Sequence, residues 1–252
     1  MEKEIVINGE LGKISGILER GFAGKRIVLL IHGFASGKNN KTNRLLRDYL
    51  NKVCFDSIRI DLYNHGESEG SFEDMTLDKC ILTIKSTVDY FLKKGYKEIG
   101  IIASSMGGLS SLIFCQEYPN KVDFLILKSP PVFNQGNVIA DYYHINLKSW
   151  KNKGFYEWKN EAGFRRRLNY NFYFNAQGYN ALKKAKKISM PLLIFHGSND
   201  DFVPISGSKT LVKLADNAEL FVIDGADHFF GLSQTKKMIK HIDKFLRGIW
   251  NS

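Results

Sequence analysis

The chain has 252 residues, 44% of them hydrophobic and 25% charged, a composition typical of a globular protein with room for one large domain. Its aliphatic runs are far shorter than the roughly 18 residues that span a bilayer, and the opening "MEKEIVINGE" carries charges where a signal peptide needs an apolar stretch. Three widely spaced cysteines form no disulfide or metal-ligand pattern. These features predict a cytoplasmic protein without membrane insertion and without a metal site.

The net charge of +10 is concentrated in one part of the chain. Residues 148–187 contain eleven Lys or Arg and two Glu, a local balance of +9, so the remainder is close to neutral. A single basic segment within a neutral chain favours an insertion with its own surface over a nucleic-acid-binding protein. Basic residues with interleaved aromatics also suit nucleic-acid binding, but a solvated basic face over an aromatic core is the favoured interpretation, and we expect no nucleic-acid partner.

Short apolar segments alternate with helical patterns along most of the chain. Two alternating segments around a glycine-containing turn come first, within residues 4–20. Strands are predicted at 25–33, 57–63, 97–104, 123–129, 191–197 and 218–225, and helices at 40–53, 77–94, 106–118, 206–215 and 233–249. Thr76 and Ser233 are predicted N-caps. Because most strands are apolar on both faces, the pattern predicts an α/β domain with a mostly parallel sheet.

The alternation is interrupted by residues 132–187. This segment holds nearly all the excess charge and ten aromatic residues within positions 150–179. We therefore expect 1–131 and 188–252 to form the core and 132–187 to form a cap insertion over the carboxyl edge of the sheet, where such folds bind ligands. We expect the aromatic side chains of the insertion to line a substrate pocket and its Lys and Arg to face outward.

Two adjacent serines stand between a predicted strand and a predicted helix, in "ASSMGG" at 103–108. A nucleophile on a sharp strand-to-helix turn needs small residues two positions before it and two after it. For Ser104 those positions hold isoleucine and methionine, whereas for Ser105 they hold Ala103 and Gly107. Ser105 is therefore the predicted nucleophile, and the buried strand and apolar helix on either side favour this over a simple helix cap.

A serine nucleophile needs a base, and the base needs a carboxylate that holds its tautomer. In a domain of this kind the expected chain order is Ser, acid, His. His228 lies in a loop after a predicted strand, whereas His241 lies within the last predicted helix, so His228 is the predicted base. Asp200 and Asp201 are both candidates for the acid, and the pattern G-x-x-D-x-x-V-P favours Asp200 because it comes first in the turn.

Acyl transfer develops an oxyanion that needs two preorganised backbone N–H donors. Met106 follows the nucleophile directly and is one predicted donor; the other is Phe34 in "IHGFASG" after the strand at 25–33. His32, His65 and His196 lie at strand ends or in loops, and we interpret them as residues that shape these turns.

Five segments occur in a characteristic order: "IHGF", "DLYNHGES", "ASSMGG", "HGSNDDFVP" and "GADHFF". With them the chain resembles the α/β-hydrolase superfamily, and most closely its serine-aminopeptidase-like and cinnamoyl (feruloyl) esterase-like branch. The resemblance implies a mostly parallel central sheet flanked by helices. It also implies a nucleophile, acid, base and oxyanion donors at Ser105, Asp200, His228, Phe34 and Met106. Asn64 stands where the family usually has glycine, and Ser104 where it often has histidine.

The expected function is hydrolysis of a small-molecule carboxylic ester with an apolar or aromatic acyl group, through an acyl-enzyme and without a cofactor. A thioesterase or small peptidase would use the same three residues and stays an alternative. A non-catalytic binding protein of the same fold is less favoured, because all three residues are present. The basic insertion further predicts that anionic substrates are attracted, with a salt-dependent kcat/KM.

Overall fold

The computed structural model of the chain describes residues 2–21, 24–133, 135–159 and 165–250. Its strands are β1 (Glu2–Gly9), β2 (Gly12–Glu19), β3 (Arg26–Ile31), β4 (Asp56–Ile60), β5 (Glu98–Ser104), β6 (Phe124–Lys128), β7 (Phe155–Lys159), β8 (Arg165–Asn169), β9 (Leu192–Gly197) and β10 (Ala218–Ile223). Its α-helices are α1 (Lys41–Lys52), α2 (Leu77–Lys93), α3 (Ser105–Glu117), α4 (Gln135–Tyr142), α5 (Leu147–Lys153), α6 (Tyr170–Ala176), α7 (Ile205–Leu214) and α8 (Leu232–Trp250). Short 3-10 segments lie at Phe72–Asp74 and Ala181–Lys187.

Eight strands form one sheet in the order β1-β2-β4-β3-β5-β6-β9-β10. The six strands from β4 to β10 in this order are parallel, whereas β1 and β2 are antiparallel additions at one edge. The predicted α/β class with a mostly parallel sheet is therefore confirmed. Each predicted strand and helix is present within a few residues of its expected bounds.

Of the two predicted N-caps, one is correct and one is wrong. The Thr76 side chain accepts a hydrogen bond from the Lys79 N–H at the start of α2. Ser233 instead lies inside α8, and its hydroxyl donates to the side chain of the neighbouring Gln234. The helix begins earlier because the Gly231 carbonyl already accepts the Thr235 N–H, at 2.9 Å.

The sheet is buried between two apolar layers. Successive residues of a strand point to opposite faces, so β3 sends Val28 and Leu30 to one layer and Leu29 to the other. Helices α1 and α8 cover the first layer, and α2, α3 and α7 cover the second. Because β4, β3, β5, β6, β9 and β10 are parallel, their carboxyl ends lie at a single edge of the sheet.

The described residues of 132–187 form helices α4, α5 and α6, the antiparallel strand pair β7–β8 and the 3-10 segment Ala181–Lys187. Trp150 and Phe172 are fully buried and belong to the same apolar layer as α2 and α3. Trp158 stacks on Tyr143, with ring centroids 5.4 Å apart. The Lys and Arg side chains described in 148–187 are all exposed, as predicted. Phe164, one of the ten aromatic residues, lies outside the described residues.

None of the helices in the described ranges is both long enough and apolar enough to cross a membrane. Within the same ranges, no group of three or more His, Cys, Asp or Glu is arranged to hold a metal ion.

Candidate active site

Ser105 sits at the junction of β5 and α3 in a backbone conformation that side chains rarely adopt. Its φ is +51°, in the left-handed region, whereas Ser104 is extended with φ −114°. A methyl group on Gly107 would overlap the backbone carbonyl oxygen of His32, so close packing of α3 against the end of β3 requires glycine there. Ser105 thus occupies the sharp turn that the sizes of its neighbours predict.

The structure brings together the three side chains predicted for nucleophile, base and acid. The Ser105 hydroxyl Oγ lies 3.0 Å from Nε2 of His228, and Nδ1 of His228 lies 2.9 Å from Oδ2 of Asp200. Because a carboxylate only accepts, the proton of a neutral His228 belongs on Nδ1, which leaves Nε2 free to accept the hydroxyl proton. Asp201 is exposed, and His241 lies in α8 against Phe221.

Asp200 is held by hydrogen bonds to both of its oxygens. Oδ1 accepts the backbone N–H groups of Phe202 and Val203, at 3.1 and 2.8 Å. Oδ2 accepts His228 and lies 3.3 Å from Nε2 of His196. Burial opposes ionisation of this carboxyl, but the hydrogen bonds from His196 and His228 outweigh it and hold the pKa of Asp200 well below its usual range. Asp200 is therefore a carboxylate, suited to orient an imidazole.

His228 is a buried, neutral imidazole. Burial is the largest influence and lowers its pKa, the positive charge of Lys128 lowers it further, and the hydrogen bond to Asp200 opposes both. The Phe202 ring stacks on the imidazole with centroids 4.6 Å apart and planes 16° apart. The ring is thereby fixed in orientation and kept in the form that can take up a proton.

The other three histidines near the strand ends make hydrogen bonds that brace turns. His32 accepts the Leu62 N–H at Nε2 and contacts the Gly33 carbonyl oxygen through Nδ1. Nδ1 of His65 lies 3.1 Å from the carbonyl oxygen of Tyr63. His196 contacts the Val203 carbonyl, as expected of a turn-shaping residue, and in addition approaches Asp200.

Phe34 and Met106 flank Ser105. The loop after β3 lies against the serine, since a methyl group on Gly33 would be 3.0 Å from the Ser105 Cβ. Met106 is the second residue of α3, and the first four N–H groups of a helix have no acceptor within it. The position of these two residues is compatible with the predicted oxyanion donors.

The loop that carries Phe34 is anchored from two sides. Asp61 accepts both the backbone N–H and the side-chain Nζ of Lys38, at 2.7 and 2.6 Å. Arg166, in the segment 132–187, donates to the carbonyl oxygen of Ala35, at 3.1 Å. Asn64, which replaces the family glycine, adopts a φ of +65°, and asparagine tolerates that conformation better than most residues.

A cavity of about 390 Å³ opens above Ser105. Among its described wall residues, Tyr143 is the only one that comes from 132–187; the aromatic side chains of Phe34, Phe202, Phe229 and Phe230 come from outside this segment. The prediction that the aromatic residues of 132–187 line the pocket is therefore correct for Tyr143 and wrong for the described aromatic residues of 150–179. Trp150 and Phe172 are buried in the apolar layer beside α2 and α3, and Phe174 is exposed. The other described aromatic residues of 150–179 are half-buried.

The sequence analysis did not identify Lys128, which lies in the wall of this cavity. Its Nζ donates to the backbone carbonyl oxygen of His228, at 2.6 Å. The signal that could have found it is a charged residue at the carboxyl end of an otherwise apolar strand, β6, beside the edge where ligands bind.

Residues 26–169, more than half of the chain, match the family model of the alpha/beta hydrolase fold. The chain belongs to this family, as its motifs and sheet predict. Human monoacylglycerol lipase ABHD6 is 22% identical to it over 266 aligned positions that cover 90% of this chain and 77% of that protein.

Solved structures share the whole fold. Est1E from Butyrivibrio proteoclasticus with bound ferulic acid aligns with a TM-score of 0.81 and 23% identity over 98% of this chain and 100% of that one. Mouse alpha/beta hydrolase domain-containing protein 10 aligns with a TM-score of 0.81 and 20% identity over 98% and 99% of the two chains. At this level of identity the similarity establishes the fold.

Proposed function

We propose that the protein is a serine hydrolase that cleaves small-molecule carboxylic esters through an acyl-enzyme. One observation carries the proposal: Ser105 Oγ, at a strained turn on the cavity, is 3.0 Å from a histidine that is itself 2.9 Å from the buried carboxylate of Asp200. The names of similar proteins, a monoacylglycerol lipase and a putative esterase/lipase of Mycoplasma genitalium, support a carboxylic ester as the substrate. We further expect the enzyme to act in the cytoplasm.

In the first half of the reaction, Ser105 Oγ attacks the ester carbonyl carbon while His228 Nε2 takes up the hydroxyl proton. The carbonyl π electrons move to the oxygen, and the tetrahedral intermediate collapses with cleavage of the bond to the alcohol oxygen. His228 returns its proton to the departing alcohol. The product of this half is an ester between the acyl group and Ser105.

In the second half, water attacks the acyl-enzyme and His228 accepts a proton from it. Collapse of the second tetrahedral intermediate breaks the bond to Ser105 Oγ, which regains a proton, and the carboxylic acid leaves. Asp200 stabilises the imidazolium formed in each half-reaction and stays ionised. The backbone N–H groups of Phe34 and Met106 are the proposed donors to the oxyanion.

The aromatic wall of the cavity supports acyl groups larger than acetyl. Rings such as those of Tyr143, Phe202 and Phe229 offer apolar area that acetyl is too small to cover. We propose 132–187 as a cap that contributes to this wall through Tyr143 and otherwise braces the loop after β3 from outside, through the contact of Arg166 with Ala35.

Labelling with a fluorophosphonate, which phosphonylates activated serines, tests the assignment with a matched pair of variants. Wild type and Ser104→Ala should be labelled and should hydrolyse p-nitrophenyl butyrate. Ser105→Ala should do neither, because Ser104 has ordinary backbone geometry and is not the hydroxyl bound to His228. Labelling that survives in Ser105→Ala would overturn the proposal.

A further inference from the structure

Lys128 is a buried cation with few partners. Only 7% of its surface is exposed, and Nζ lies 4.7 Å from the centroid of the Phe230 ring. Its hydrogen bond to the His228 carbonyl is the single one that Nζ makes to a described residue. An ammonium group has three N–H donors, so two of them have no acceptor within the described part of the chain.

The charge of Lys128 is also not balanced by a direct ion pair. Within the described ranges no carboxylate lies at salt-bridge distance from Nζ. Asp200 and Asp227 are the acidic groups that attract it, but Asp200 is already bound to His228 and Asp227 is exposed. Burial lowers the pKa of Lys128 to about 8, which still leaves it mostly protonated at neutral pH. Buried charges in proteins are as a rule paired, because desolvation is costly.

The other residues of the cavity wall also favour a ligand with a negative charge. Its described wall contains two lysines, Lys41 and Lys128, and no Asp or Glu. Lys41 begins α1, whose first turn carries no acidic residue to offset the positive end of the helix dipole. Ser105, Lys128 and the start of α1 therefore line one space that attracts an anion.

We propose that the natural ester carries a carboxylate, on its acyl or its alcohol portion, that pairs with Lys128 inside the cavity. The proposal rests on the proposed ester hydrolysis and names the substrate class: an apolar stem that ends in a carboxylate. It also assigns anion recognition to a buried residue of the core rather than to the exposed charges of 148–187.

The test compares esters that differ only in charge. In the acyl arm, mono-p-nitrophenyl adipate is matched with p-nitrophenyl 6-methylheptanoate, in which an isopropyl group replaces the carboxylate. In the alcohol arm, 3-acetoxybenzoate is matched with 3-isopropylphenyl acetate. Wild type should prefer the anionic ester of at least one pair by about tenfold in kcat/KM, mainly through KM. The pair that shows the preference identifies the portion that carries the carboxylate.

Three variants separate substrate binding from a purely structural role. Lys128→Met should abolish the preference, and Lys128→Arg should retain most of it. Lys148→Met removes one exposed charge outside the cavity and should leave the preference unchanged. If Lys128→Met slows both esters of a pair equally, Lys128 only holds His228 in place and the proposal is overturned.

A binding measurement keeps the inference separate from the proposed hydrolysis. Turnover of the neutral esters without any preference for the anionic ones would overturn the inference and leave the hydrolase intact. If no ester is hydrolysed, calorimetry on Ser105→Ala with mono-p-nitrophenyl adipate and with 3-acetoxybenzoate still tests the inference. Addition of Lys128→Met should weaken the binding of at least one of these two esters about tenfold, and unchanged affinity for both would overturn the inference.

Discussion

The two sides of the cavity above Ser105 are built from different parts of the chain. The core side supplies Ser105, His228 and Lys128, each at the carboxyl end of a parallel strand or just after one. The insertion, 132–187, supplies Tyr143, keeps most of its described aromatic residues packed against each other and exposes its positive charges. The segment 132–187, which has a distinctive composition, thus contributes little to the site. Lys128, the last residue of the otherwise apolar strand β6, lines it.

The largest expected effect is the loss of turnover when Asp200, which lies outside 132–187, is substituted. Asp200→Asn should lower kcat about 10⁴-fold with little change in KM, because the imidazole would lose the carboxylate that fixes its tautomer and stabilises its charged form. Asp201→Asn is the matched control, since Asp201 is exposed and makes no hydrogen bond to His228. Steady-state kinetics on p-nitrophenyl butyrate checks this. If Asp201→Asn loses activity and Asp200→Asn retains it, Asp200 is not the carboxylate that orients His228.

Close packing of the turn at Ser105 against the end of β3 depends on Gly107, and a larger residue there should reduce stability. Gly107→Ala should lower the free energy of unfolding by about 1–3 kcal/mol, because the new methyl group would overlap the backbone carbonyl of His32. Gly108→Ala is the control: its methyl group would come no nearer than 3.3 Å to a side-chain atom of Pro130. Urea unfolding of both variants measures the difference, and equal stability would show that Gly107 is not required by packing.

The preference for carboxylate esters should depend on pH through Lys128. Burial lowers the pKa of its ammonium to about 8, against the attraction of Asp200 and Asp227. The cation is therefore present below this pH and lost above it. The ratio of kcat/KM for the anionic and neutral esters, in which changes at His228 cancel, should fall about fivefold as pH rises from 7 to 9. A ratio that stays constant over this range would remove Lys128 from anion binding.

The smallest effect should come from the insertion. Tyr143→Ala should reduce the preference for octanoyl over acetyl p-nitrophenyl esters by about threefold, because one aromatic ring leaves the cavity wall. Phe174→Ala should change nothing, since Phe174 is 74% exposed and outside the cavity wall. Equal effects of the two substitutions would mean that the insertion does not touch the acyl group.

The sequence was sufficient where a local rule determines the structure. The buried strands follow from their apolar runs, and Ser105 follows from the small size of Ala103 and Gly107. It was insufficient where packing between distant segments decides. Whether Trp150 lines a pocket or packs in an apolar layer depends on its contacts with residues distant in sequence. Whether Lys128 is solvated or buried depends on the loop that carries His228, whose backbone carbonyl accepts its hydrogen bond.

The central claim is that Ser105 carries the acyl group during turnover, and peptide mass mapping tests it most directly. Wild type is mixed with p-nitrophenyl octanoate, quenched in acid during the first turnover, digested and analysed by mass spectrometry. The account predicts an octanoyl group on the peptide that contains Ser105, fragmentation that assigns it to Ser105 rather than Ser104, and no adduct in Ser105→Ala. An octanoyl group on Ser104, or an adduct that persists in Ser105→Ala, would contradict it.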